Sequence, residues 1–121
     1  MTSSDPSSSS ASIGGAPEVA SLLEPAAVLA ALCDPVRYSI LRALADSEPV
    51  SVRDLAKRVG RAPDAVAKHL RVLRGARLVR LVSVPGADGR CQFHELPALF
   101  RARDGAGRPV LDFGAVVLRL G

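Results

Sequence analysis

The side chains best placed to do chemistry in this sequence are cationic. From Arg53 to Arg80 stand nine basic residues, Arg53, Lys57, Arg58, Arg61, Lys68, Arg71, Arg74, Arg77 and Arg80. Only Asp54 and Asp64 oppose them, a net of +7 within a chain whose formal charge is +4. A basic stripe of this kind attracts polyanions. On charge alone, a solvated Arg-rich surface is an equal reading, since 14 of the 16 basic residues are Arg.

Nucleophiles and metal ligands are sparse. The two cysteines, Cys33 and Cys91, are too few for a disulfide framework and fit a reducing compartment, with burial as the default state of each. Cys91 and His94 are three apart in a stretch that reads as strand, so their side chains point to opposite faces and chelate poorly. No metal site and no cofactor are expected. The sequence has no glycine-rich phosphate loop, paired-carboxylate constellation or nucleophile elbow. A set of Cys91, His94 and Asp112 can be assembled only on paper, and no enzyme is expected.

The elements that must carry the stripe follow from 121 residues, 48% of them hydrophobic and 3% aromatic. That suits one small domain with a Leu, Val and Ala core. Aromatic platforms for single-stranded nucleic acid are not expected. Residues 1–17 hold seven Ser between Ser3 and Ser12 and read as a disordered tail. A first helix is predicted over 18–33, with a break or restart at Pro25. Asp34-Pro35 opens a second helix that ends near Asp46. Ser51-Val52-Arg53-Asp54 is a capping-box pattern for a third helix, closed by Gly60. Pro63 opens a fourth, whose apolar face is Val66, Leu70 and Leu73.

Alternating residues from Leu78 to Val84 and from Arg90 to Leu96 flank a turn-rich Pro85-Gly86-Ala87-Asp88-Gly89 and predict a β-hairpin. Two further short strands are expected around Gly114, and could extend the hairpin sheet or pair across a two-fold axis. The fold class is mainly α with a β-hairpin wing, an α+β winged helix-turn-helix. It occupies residues 18–100, with 101–121 as a C-terminal strand extension. No run of about 18 apolar residues and no basic-then-apolar leader are present, so a cytoplasmic location without membrane contact is expected.

Three blocks then resemble one family. The run from Leu32 to Leu44, with Asp34-Pro35, Arg37, Ile40 and Leu41, is similar to the L-x-D-P-x-R-x-x-I-L-x-x-L opening of ArsR-type bacterial repressors. Ser51 to Ala56 and Val66 to Arg74 look like its next two blocks, V-x-D-L-A and V-S-x-H-L-x-x-L, in the same order and spacing. The resemblance covers residues 26–96. It implies a regulator of transcription, a dimeric repressor on double-stranded DNA, with the fourth helix in the major groove and the hairpin along the backbone.

By position, Pro63, Asp64, Ala65, Ala67 and Lys68 then face bases or phosphates, with His69 beside them and Arg90 on the wing. Arg61, Arg71 and Arg74 add cationic arms from the stripe. The sequence departs from the family at several points. The leading turn, Ala62-Pro63-Asp64-Ala65, has almost no donors for bases, which leaves a protein-interaction module as the alternative function. Ser51 and Arg53 stand where metal-sensing relatives carry Cys, and Arg77 replaces a glycine after the fourth helix. A dimer interface is expected from residues 18–33 together with the C-terminal strands.

Overall fold

The computed structural model describes residues 23–46, 48–114 and 116–120; the Ser-rich tail and the first part of the expected 18–33 helix lie outside them. Four helices follow one another: α1 Pro25–Leu32, α2 Pro35–Ala45, α3 Val52–Val59 and α4 Pro63–Gly75. The restart at Pro25 is thus a true helix start, with Glu24 accepting from the amides of Ala26 and Ala27. Asp34 caps α2 in the same way, its Oδ1 2.7 Å from the Val36 amide. Burial pushes this carboxyl up, but the Arg37 and Val36 amides outweigh it and hold the group below its ordinary value of 3.8. Ser51 caps α3 through the Asp54 amide at 3.1 Å, and Gly60 ends it in the left-handed region at φ 71°.

The wing hairpin forms with shorter strands than predicted and gains a third strand. Strands β2 Arg80–Val82 and β3 Phe93–Glu95 pair antiparallel, and a two-residue strand, β1 Val50–Ser51, adds to the other side of β3. His94 of the central strand therefore lies between Val50 and Leu81. After a 3-10 turn at Ala98–Phe100 come β4 Arg101–Arg103, β5 Pro109–Asp112 and β6 Val117–Arg119. They form a second antiparallel sheet, so the C-terminal strands do not extend the wing. Their turn is made at Gly114, φ 91°, as the sequence suggested.

One core serves both halves. Ile40, Leu41 and Leu44 of α2, Leu55 of α3, and Val66, Leu70 and Leu73 of α4 pack in one cluster with Leu111, Phe113 and Leu120 of the C-terminal segment. Phe100 and Phe113 meet edge to face, with centroids 5.0 Å apart and planes at 66°.

Candidate nucleic-acid interface

The start of α4 is shaped by Ala62 and Pro63. Ala62 has the extended backbone of an N-cap, at φ −67° and ψ 143°, yet supplies no side-chain cap. Pro63 follows with no amide to satisfy. Asp64, in the first turn, complements the helix dipole and is exposed. Val66, Leu70 and Leu73 are fully buried, which fixes the rotation of the helix and turns Lys68 and Arg71 outward.

The far end of α4 is a Schellman motif. The Leu78 amide donates to the Leu73 carbonyl at 3.0 Å and the Arg77 amide to the Arg74 carbonyl at 2.9 Å. Arg77 is the left-handed residue, at φ 65°, and is the one non-glycine residue with positive φ among those described. The turn that the family pattern assigns to glycine is thus kept by an arginine.

Four of the expected site residues converge. Pro63, Asp64, Ala67 and Arg90 line one groove of about 600 Å³, together with Arg53 and Cys91. The groove runs between the N-terminal ends of α3 and α4 and the foot of the wing, which a 3.2 Å bond from the Val52 amide to the Gln92 carbonyl holds in place. Arg53 stands in the sequence in the charge stripe and in the capping-box pattern, not among the expected site residues; its place here depends on the cap at Ser51, which sets where α3 begins. Arg61, Lys68 and Arg71 are exposed, and no described residue forms an ion pair with them. Ala65 is half-buried.

The remaining candidates have partners within the fold. His69 Nδ1 accepts from Arg37 Nη1 at 3.3 Å, while the same guanidinium donates to the Ala31 carbonyl at 2.6 Å. Arg37 thus links the end of α1 to α4. Arg74 Nη1 lies 2.7 Å from His94 Nε2. Arg80 of the stripe is bound to Glu95 across the wing. Arg90 is 93% exposed, with Asp88 at 3.7 Å.

The scattered thiol and imidazole groups do not assemble. Both cysteines are exposed, against the expectation of burial: Cys33 stands at the end of α1, and Cys91 precedes β3 rather than lying within it. His94 is fully buried, while Asp112 is exposed on the other sheet. No group of three or more metal-ligating side chains occurs among the described residues.

Residues 32–82 match the model of a helix-turn-helix domain family. A curated relative, the HTH-type transcriptional regulator KmtR of Mycobacterium tuberculosis, is 47% identical over 65 residues, 54% of this chain and 46% of that protein. The match thus spans about half of the relative's length. The solved homodimeric winged helix-turn-helix DNA-binding domain from Mycobacterium bovis superposes with a TM-score of 0.54 at 24% identity, covering 70% of this chain and 74% of that one. A solved ArsR family transcriptional regulator superposes with a TM-score of 0.51 at 26% identity, covering 61% and 71%. The fold of this chain is a winged helix-turn-helix, similar to those of these regulators. In that fold α3 and α4 are the two helices of the motif, α4 in the position of a recognition helix, and β2 and β3 form the wing hairpin. Among the described residues no helix is long and apolar enough to cross a membrane.

Proposed function

We propose that the chain is a DNA-binding regulator of transcription, acting as a homodimeric repressor on double-stranded DNA without a cofactor, in the cytoplasm. The observation that carries this reading is the single concave face on which Pro63, Asp64 and Ala67 of the recognition helix meet Arg90 of the wing. Arg61, Lys68 and Arg71 supply further cationic arms at α4. Phosphate contacts from such arms supply affinity and position, while base edges supply sequence preference. With Ala62, Pro63, Asp64 and Ala65 on the leading turn, most affinity comes from phosphates. The DNA-binding unit spans residues 18–100, and 101–121 extend it. Support for a dimer comes from the homodimeric solved domain of the same fold and from Leu29, 54% exposed on the uncharged α1.

Fluorescence anisotropy of the full chain on its own upstream DNA and on a shuffled duplex, across a salt series, tests the reading. Preference for the native duplex at physiological salt is expected. Lys68→Ala and Arg71→Ala should each weaken binding to both duplexes and flatten the salt slope by about one ion. The donor-poor leading turn favours one second reading, a protein-interaction module. Absence of binding even at low salt would establish that reading over the first.

A further inference from the structure

Arg74 and His94 join the recognition helix to the wing by a side-chain bond whose chemistry is restrictive. His94 is fully buried in the central strand of its sheet, between Val50 and Leu81. A guanidinium can only donate, so His94 Nε2 accepts from Arg74 and the ring is neutral with its proton on Nδ1. Among the described residues, Nδ1 is the one buried side-chain polar atom without a hydrogen-bond partner. A buried donor left unpaired costs stability, and an apolar side chain at position 94 would avoid that cost. What an apolar side chain cannot supply is a directional bond.

Arg74 is in the last turn of α4, half-buried, with its guanidinium committed to the wing side. The other charged groups of the wing sheet leave this bond alone. Arg80 and Glu95 are bound to each other, and Glu95, the next residue along β3, alternates to the opposite face of the strand. Arg101 also ties the residue after β3 to α2, its Nη2 donating to the Leu96 and Leu44 carbonyls at 3.5 and 3.3 Å, but these bonds do not reach α4. Arg74–His94 is the side-chain hydrogen bond that joins α4 to the wing, where apolar packing is non-directional.

We propose that His94 and Arg74 form a strut that fixes the wing relative to the recognition helix, making both positioning residues for DNA binding. The inference rests on the DNA-binding reading above. It assigns Arg74 to the fold of the interface rather than to a phosphate.

The test uses the full chain as wild type, His94→Leu, Arg74→Met, the double variant and the conservative His94→Gln, whose amide oxygen can still accept from Arg74. Affinity is read by anisotropy across a salt series, at a temperature where circular dichroism shows each protein folded. His94→Leu and Arg74→Met should each weaken binding about tenfold, the double variant no further, and His94→Gln should recover most of the loss. The salt slope should stay that of the wild type. Loss of about 0.9 from the slope in Arg74→Met would make Arg74 a phosphate contact and overturn the strut. So would multiplying losses in the double variant, or unchanged affinity in Arg74→Met, the arm that carries the test should His94→Leu not fold. A wild type that fails to bind DNA at low salt overturns the DNA-binding reading, and the positioning role with it. Hydrogen exchange of the β2 and β3 amides then decides the strut alone: faster exchange in Arg74→Met supports it, and unchanged exchange overturns it.

Discussion

At the scale of single residues, His94 sets the most specific physical expectation. Burial, with the nearby Arg74 charge adding to it, pushes the imidazole from 6.5 down to about 4. The folded protein therefore stays unprotonated at this site while the unfolded chain takes up a proton. Stability from this group is fully present above pH 6.5, falls as pH drops from 6.5 towards 4, and is gone below that. The difference is worth about 3 kcal/mol. Urea unfolding of the wild type at pH 7.5 and pH 4.5 should show a loss of that order, and His94→Leu should show a much smaller one. A wild-type midpoint that stays constant over this window would mean that the folded ring titrates normally. Asp34, held below 3.8, contributes a separate loss only in more acidic solution. None of this was legible in the sequence, where His94 stood only as a stray ligand. Its burial depends on β1, a strand of two residues, Val50–Ser51, too short to leave a periodic signal.

At the scale of elements, α4 is well set along its length and imperfect at both ends. Its buried stripe was plain from the spacing of Val66, Leu70 and Leu73, as were the capping signals at Asp34, Ser51 and Gly60, because each depends on chemistry within one or two turns. The exit of α4 was less legible. The glycine expected there is Arg77, and only the folded chain shows that arginine takes the left-handed conformation so that Leu78 can bond back to Leu73. Two substitutions follow from these ends. Ala62→Ser places a hydroxyl where the backbone already has N-cap geometry and should raise stability by about 1 kcal/mol. Arg77→Gly relieves the left-handed strain and should add up to about 1 kcal/mol, reduced by the greater freedom of glycine in the unfolded chain. The sites are about 20 Å apart along the helix, so the two gains should add in the double variant, read as a shift in urea midpoint at unchanged m. A Ser substitution without effect would mean that another group already satisfies the first amides of the helix.

At the scale of the whole molecule, the C-terminal segment is where sequence reasoning reached least far. The apolar run after Pro109 was read as two strands, which became β5 and β6, but β4 is the three-residue segment Arg-Ala-Arg and has no apolar alternation to announce it. Nor could a sequence pattern say which sheet these strands would join, since strand pairing is decided by contacts distant along the chain. The structure joins them to each other and places Leu111, Phe113 and Leu120 against the helical core. Tyr38 of α2 adds a bond from its hydroxyl to the Arg119 carbonyl at 3.1 Å, so the last strand is tied to the helices by both apolar and polar contacts. The helix-turn-helix should then unfold in one transition with its C-terminal sheet. Phe113→Ala removes a fully buried ring that meets Phe100, and should cost about 3 to 5 kcal/mol. In thermal unfolding followed by helical circular dichroism, the whole transition should move to lower temperature and stay single. A helical transition left in place while hydrogen exchange rises only over 101–120 would instead show a winged helix-turn-helix that folds independently of its C-terminal strands.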